Sequence, residues 1–301
     1  MINFVMLAAG IQGLFVLLDL IEWYRAPDRR DSAPPEGLGT WLFLVGWIVL
    51  FLAIQYGGYS LVPRNQDLLL SMRAAVARWF HLNSADAPMN WRALVLVSVA
   101  GFYISGLWDY LNHRFFSHSR WLFFTHEYHH LPRQVTCLMP GIAGLPFAVF
   151  AVFPPVAASI VTVYALLAVC GLPLWDLSAL KVLFPTLLTV QVASHSSFVR
   201  RQRWVHYVLR TLAITSPQEH VLHHTVDLKG NYGNYTSLWD RLFGTYLDPL
   251  LPQHQGHACG LAYDQDFLGT ITLGKLKLPS AWRRRFHVAR FCNITRERKT
   301  P

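Results

Sequence analysis

The sequence predicts an all-α integral membrane protein, a bundle of about four to six transmembrane helices. The chain is 53% hydrophobic and only 14% charged, with a mean hydropathy of +0.28, whereas soluble domains carry about 25% charged residues. Several long runs contain no charged residue, and a helix of roughly 20 apolar residues crosses a bilayer. Histidines cluster at the ends of these runs, which predicts a cytoplasmic histidine-rich helical cap that holds a dimetal site.

Five apolar runs account for the predicted spans. The first covers residues 1–18 and extends past Asp19 to about Trp23, and it lacks the features of a cleaved signal peptide. The run 134–175 is long enough for two crossings, whereas Pro185 interrupts the last run. Between the second and third runs, residues 66–81 are typical of an amphipathic helix on the membrane surface. The other three runs are 37–63, 93–108 and 182–199, and Pro185 lies in the last of them.

The net charge of +9 fits a membrane protein better than a nucleic-acid-binding protein. Arginines are concentrated near the C-terminus, and no recognisable nucleic-acid-binding module is present. Arg25, Arg29 and Arg30 follow the first span, so the positive-inside rule places its end, and with it all histidine clusters, in the cytoplasm. Three arginines between the second and third spans fall on the opposite side in this topology, and the conflict stays open. The four cysteines form no CxxC motif.

Nine of the fourteen histidines fall in four tight places along the chain. One place is an HxxxxH pair, two are HxxHH boxes, and the fourth is a single histidine at the end of the last apolar run. Neutral imidazole binds zinc, copper, iron and nickel. One structural ion takes about four protein ligands, so this set suits two ions. The predicted metal ligands are His113, His118, His126, His129, His130, His195, His220, His223 and His224.

The spacing within each box predicts how its histidines share the ions. Helical residues three or four apart lie on one face, and the adjacent histidine of HxxHH is turned by about 100°, toward a second ion. The wider first box leaves His118 about 140° away from His113 on an ideal α-helix. The two converge only if the helix ends or contains a π-bulge, which pairs residue i with i+5. Otherwise His118 lies past the helix end, or the two serve different ions.

The carboxylates near the histidine boxes could either support metal ligands or have a purely structural role. Asp109 lies one helical turn before His113, where it could accept a hydrogen bond from a liganding imidazole and fix its tautomer. It is equally a charge at the end of a span. Glu127 and Glu219 flank predicted ligands and are weaker candidates for the same role. The five histidines outside the boxes are interpreted as ordinary polar residues: His81, His206, His254, His257 and His287.

The histidine boxes resemble those of the fatty acid hydroxylase and sterol desaturase superfamily, the membrane di-iron oxygenases. The matching stretches run from Asp109 to Tyr246 and read DYLNHRFFSH, HEYHH, ASHSS, SPQEHVLHH and NYGNYTSLWDRLFGTY. The resemblance implies that all nine histidines bind two iron ions. One departure follows His195, where relatives often carry His-Ser-Asn and this chain has Ser196 and Ser197.

The resemblance also implies an activity and its requirements. A membrane-bound non-haem di-iron oxygenase would hydroxylate or desaturate a lipid, such as a sterol or a fatty acyl chain, with O₂ in lipid biosynthesis. Electrons would come from a separate cytochrome b5-, ferredoxin- or flavoprotein-like donor. The chain would then comprise an anchor region with the surface helix (1–90), a catalytic domain (91–250) and a basic tail (251–301). Arginine outnumbers lysine, which favours a bacterial inner membrane over the endoplasmic reticulum.

Two alternative functions use the same residues differently. HEYHH at 126–130 also satisfies HExxH, the zinc metalloprotease pattern, with Glu127 as general base. An intramembrane protease of this kind would need one zinc ion and three ligands. The other alternative is a haem-binding or metal-binding membrane protein without enzymatic activity.

Overall fold

The computed structural model describes residues 4–25, 90–130, 134–138, 148–172 and 178–263, with isolated positions in 71–79 and 269–279. The regular secondary structure of these residues is helical, with no β-strand, which confirms the predicted all-α class. The predicted span 37–63 lies outside them, as do most of the predicted surface helix and most of the basic tail. The α-helices of the described part are α1 (Phe4–Arg25), α2 (Trp91–Leu111), α3 (Glu127–His130), α4 (Ala148–Val169), α5 (Ser178–Ser194), α6 (Ser197–Arg201), α7 (Arg203–Thr211), α8 (Pro217–His223) and α9 (Leu238–Leu242).

Helix α2 continues directly into a π-helix, Asn112–Ser117, and the two form one rod. This rod, Trp91–Ser117, is 27 residues long and is the helix within the described ranges that is long and apolar enough to cross a membrane. The apolar helices Pro154–Val169 and Ser178–Ser194 are shorter. The predicted number of spans therefore stays a prediction.

The prolines in the later apolar runs lie inside helices and do not end them. Helix α4 runs through Pro154 and Pro155, and α5 runs through Pro185. Proline removes one backbone hydrogen bond and crowds the preceding turn. In α5, Leu183 and Leu187 are buried on either side of Pro185. Because tertiary packing contributes most of a helix's stability, this burial outweighs the lost hydrogen bond.

Helices α2, α4 and α5 enclose the main apolar core. Val97 of α2, Val163 of α4 and Leu183 of α5 are each at most 1% exposed and belong to one buried cluster. Gly101 permits this close packing, since a Cβ atom there would lie 3.4 Å from both Val163 and Leu183 side chains. The Trp108 indole N–H also donates to the Thr162 hydroxyl at 2.8 Å. This core positions the π-helix at the end of α2.

Helix α1 packs against α5 and α6 through a second, smaller apolar cluster. Phe15 of α1 lies with Val192 of α5 and Cys137 of the 134–138 segment. Helix α9 is fastened to α2, because the Trp239 indole N–H donates to the Tyr103 carbonyl at 2.8 Å.

Candidate metal centre

All nine predicted ligands come together in two adjoining clusters. Within each cluster the potential ligand atoms lie within 4.8 Å of one another. The rings of the two clusters are in contact, with centroids 4.6 Å apart for His130 and His224 and 4.8 Å apart for His126 and His129. The five-histidine cluster consists of His113, His118, His126, His130 and His223, and the four-histidine cluster consists of His129, His195, His220 and His224.

Each HxxHH box contributes to both clusters. His126 and His130, four residues apart, belong to the five-histidine cluster, whereas the neighbouring His129 belongs to the other. The second box is arranged the opposite way, with His220 and His224 in the four-histidine cluster and His223 in the five-histidine cluster. The helical spacing produces this division, because residues i and i+4 share a face and the intervening histidine points elsewhere.

The first box reaches the site through a π-helix. The backbone N–H of His118 donates to the carbonyl of His113 at 3.0 Å, which is the i to i+5 pairing of a π-helix. The two rings consequently lie 4.9 Å apart between centroids, in the same cluster. The spacing allowed several arrangements of the first box, and the structure has the π-helical one. The wider turn of the π-helix brings His113 and His118, which would diverge on an α-helix, onto the same side.

Backbone carbonyls orient three of the histidines. The Nδ1–H groups of His113, His223 and His195 donate to carbonyl oxygens, and this leaves each Nε2 with a free lone pair that can bind a metal. The acceptors are Tyr232 O at 2.5 Å for His113, Gly230 O at 3.0 Å for His223 and Gln191 O at 2.7 Å for His195.

A capping box stabilises the N-terminus of helix α8. Ser216 accepts from the Glu219 N–H at 3.2 Å, and the Glu219 carboxylate accepts from the Ser216 N–H at 2.9 Å. Glu219 is fully buried and also accepts from the Tyr246 hydroxyl at 2.7 Å. Its carboxylate therefore fixes the helix that carries His220 and His223 and contacts neither ring directly.

Burial keeps the imidazoles neutral. Loss of hydration on burial is the largest cause that lowers the pKa of His118, His126, His130, His220, His223 and His224 well below 6.5, and neighbouring histidines lower it further. A neutral imidazole is the form that binds a metal, since protonation removes the lone pair.

Asp109 lies at the five-histidine cluster and acts through another side chain. Its carboxylate accepts from the Asn234 backbone N–H at 2.8 Å and from the Asn234 amide at 2.9 Å. The Asn234 amide nitrogen lies 3.3 Å from His113 Nδ1. Asp109 thus binds Asn234, and Asn234 is the group next to the imidazole. The carboxylate of Glu127, in turn, accepts from the Tyr263 hydroxyl.

One buried carboxylate at the site was not recognised from the sequence as a functional candidate. Asp19 interrupts the first apolar run, and in the structure it is fully buried beside the segment that follows His195. Its carboxylate accepts from the Ser196 hydroxyl at 2.5 Å and the Phe198 N–H at 3.0 Å. The signal available in the sequence was a single carboxylate inside an otherwise apolar helix.

The donor set fits transition-metal ions. Both clusters consist of imidazoles with no carboxylate, whereas calcium and magnesium prefer oxygen ligands. Nε2 atoms converge in pairs, at 2.8 Å for His113 and His126 and at 2.9 Å for His195 and His220. His130 Nε2 is buried and has no hydrogen-bond partner in the part of the chain that the structure describes. A metal ion would satisfy these lone pairs.

Comparison with known proteins identifies the region that contains these clusters. A family model described as "Fatty acid hydroxylase" matches residues 98–245. This region of the chain belongs to the fatty acid hydroxylase family. The match includes all nine histidines of the two clusters and leaves α1 outside. No curated protein and no solved structure matches the chain significantly. The family implies a lipid hydroxylase or desaturase and therefore an oxidoreductase.

Proposed function

We propose that the protein is a membrane-bound non-haem di-iron oxygenase that hydroxylates or desaturates a lipid substrate. The observation that carries the proposal is the pair of adjoining, carboxylate-free histidine clusters inside a region of the fatty acid hydroxylase family. The reaction consumes O₂, two electrons and two protons per lipid. Hydroxylation yields an alcohol and one water, whereas desaturation yields an alkene and two waters.

The protein's part in this chemistry is to hold the metals and exclude water. Two iron ions, when bound, supply the redox chemistry that activates O₂ toward an unactivated C–H bond. The five-histidine and four-histidine clusters would each hold one ion. Seven of the nine histidines are buried, and the other two, His118 and His126, are half-buried, which limits the access of bulk water. The carbonyls that accept from His113, His195 and His223 keep these rings in place, so that little rearrangement is needed when metal binds.

The geometry supports two metals over the single zinc of a protease. A HExxH protease needs three ligands and a glutamate that is free to act as general base. Here five histidines surround the position that His126 and His130 share, and Glu127 is engaged by Tyr263. Four further histidines would have no role. Haem is also disfavoured, since Nε2 atoms only 2.8–3.2 Å apart leave no space for a macrocycle between them.

A membrane setting supports an apolar substrate. The candidate span Trp91–Ser117 ends in the π-helix, and this π-helix carries His113. Side chains of α2 that face outward are large and apolar, such as Leu96 at 62% and Val99 at 51% exposed. A lipid held in the bilayer would approach the clusters along this helix. We further propose a multi-pass protein of a bacterial inner membrane, with a separate cytochrome b5-, ferredoxin- or flavoprotein-like electron donor.

Metal analysis of paired variants tests this function. The full chain, purified in detergent under iron-replete, anaerobic conditions, is expected to hold about two iron ions, one per cluster. His220→Ala and His223→Ala remove ligands from different clusters although they lie on the same helix. Each variant is expected to lose iron mainly from its own cluster and to abolish lipid oxidation. His257→Ala is the matched control, because His257 lies outside both clusters.

The outcomes separate the alternatives. Oxidised lipid products that depend on O₂ and on both histidines, detected by mass spectrometry, would support the oxygenase. A single zinc that survives His220→Ala but not His223→Ala would support the protease instead. Wild-type protein that binds no metal under these conditions would refute a metal-dependent function altogether.

A further inference from the structure

Helix α1 brings one buried carboxylate to the metal centre from outside the family match. Asp19 is fully buried, although the helix around it is mainly apolar. A buried carboxylate is strongly destabilising unless it is paired or hydrogen-bonded. Its presence at this position therefore calls for compensating donors, and the structure supplies them from two other parts of the chain.

Five hydrogen-bond donors surround the Asp19 carboxylate, and they come from two segments. Oδ1 accepts two hydrogen bonds and Oδ2 accepts three. Three of the donors are backbone N–H groups, so the carboxylate fixes main chain as well as side chains. The donors are Ser196 Oγ at 2.5 Å and Phe198 N at 3.0 Å for Oδ1, and Thr136 Oγ1 at 2.7 Å, Cys137 N at 2.8 Å and Ser197 N at 3.1 Å for Oδ2.

Both segments follow predicted ligands of the four-histidine cluster. The segment 196–198 comes directly after His195, and the segment 136–137 comes shortly after His129. The Nε2 atoms of His195 and His129 lie 3.2 Å apart. A contact between Cys137 Sγ and the Val192 carbonyl at 3.3 Å joins the same two parts of the chain. One carboxylate thus bridges the two backbones whose histidines must meet.

We propose that Asp19 is a positioning residue for the four-histidine cluster, a role that rests on the metal-binding function proposed above. Its carboxylate holds the segments 136–137 and 196–198 together, and this sets the separation of His129 and His195. Helix α1 is then part of the scaffold of the metal centre and does more than anchor the chain. Asp19 touches no imidazole, so it acts through the backbone.

A second acidic residue of α1 provides a matched control. Glu22 lies one turn after Asp19, is also buried, and forms an ion pair with Arg201 at the end of α6. This ion pair fastens α1 to α6 beyond the segment that Asp19 contacts. Glu22→Gln therefore weakens the docking of α1 while it leaves the hydrogen bonds of Asp19 in place.

Metal titration of the full-length chain in detergent tests the positioning role. With iron(II) as the probe under anaerobic conditions, Asp19→Asn is expected to weaken binding at the four-histidine cluster by about tenfold or more, the usual loss when a residue that supports metal ligands is replaced. The five-histidine cluster is expected to keep its affinity, so that one of two binding events is weakened. Glu22→Gln is expected to retain both affinities, and Asp19→Glu, which keeps the acceptor oxygens, to recover part of the loss.

Hydrogen exchange gives a readout that does not depend on metal. Asp19→Asn is expected to accelerate exchange of the amides of Cys137, Ser197 and Phe198, whereas Glu22→Gln leaves Cys137 protected. The proposal is overturned if exchange and both iron affinities are unchanged in Asp19→Asn. It is also overturned if both ions are lost together with a lowered melting temperature, since that shows general destabilisation. Metal-free wild-type protein would refute the function, and exchange would still decide whether Asp19 holds the two segments.

Discussion

The two histidine clusters are supported in different ways. The five-histidine cluster is built on a π-helix and oriented by the carbonyls of Gly230 and Tyr232, which lie within the family match. The four-histidine cluster depends on the segment after His195, which is hydrogen-bonded to Asp19 of α1, outside that match. The two clusters therefore adjoin and use the same donor atoms, but different parts of the chain hold them in place.

This difference teaches that the histidine boxes alone do not make a complete site. The loop 230–234 supports one cluster mainly through the main-chain carbonyls of Gly230 and Tyr232. The N-terminal helix supports the other through a single carboxylate. Changes in one support should affect one cluster more than the other, and variants of each support can test whether the two clusters are separable.

The largest effect is expected from Gly230→Ala. A Cβ atom at Gly230 would lie 2.3 Å from the Thr245 carbonyl oxygen and 2.8 Å from Leu247 Cγ. The backbone must shift, and this displaces the carbonyl that accepts from His223. Overpacking of this kind costs about 1–3 kcal/mol. We expect a lower free energy of unfolding and loss of iron from the five-histidine cluster, measured by denaturant unfolding and elemental analysis.

Gly13→Ala serves as the control for Gly230→Ala. A Cβ atom at Gly13 meets nothing within 4 Å, so a methyl group there should be tolerated in α1. If Gly230→Ala retained wild-type iron content and stability, the orienting role of this carbonyl would be wrong.

A smaller effect is expected from Asp109→Asn. The variant weakens the hydrogen bonds that hold Asn234 next to His113. By analogy with other residues that support metal ligands, we expect about a tenfold loss of affinity at the five-histidine cluster. The four-histidine cluster should be unaffected, the reverse of the result expected for Asp19→Asn. Iron titration of both variants measures this contrast, and equal losses at both clusters would show that the supports are not separable.

The smallest effect is expected from Arg210→Gln. Arg210 forms a two-pronged ion pair with Asp248, at 3.1 and 2.7 Å, and its side chain is 34% exposed. Because water screens partly exposed pairs, the loss should be about 1 kcal/mol or less of unfolding free energy. Iron content should stay at the wild-type level. A loss of metal in this variant would indicate that the α7 region supports a cluster in a way that its contacts do not suggest.

Much of the metal centre could be predicted from residue spacing. In an HxxHH box the first and last histidines share one face of the helix and the middle one points about 100° away. In the structure each box accordingly gives two histidines to one cluster and one to the other. The HxxxxH spacing limited the first box to a few arrangements, one of which, the π-bulge, is present. Helices α4 and α5 continue through their prolines, because local propensity is weaker than packing. The number of spans and the domain boundaries stay predictions.

The sequence by itself determined the helical class, the histidine set and the way each box presents its rings, because these follow from composition and from the period of a helix. Only the tertiary structure decided which boxes meet and what holds them. The Asp19 carboxylate lies well over one hundred residues from its partners in the chain, and carbonyls such as Gly230 O carry no sequence signal. Long-range contacts of this kind depend on how α1, α5 and the loop after α8 pack together, and local patterns contain no record of that packing.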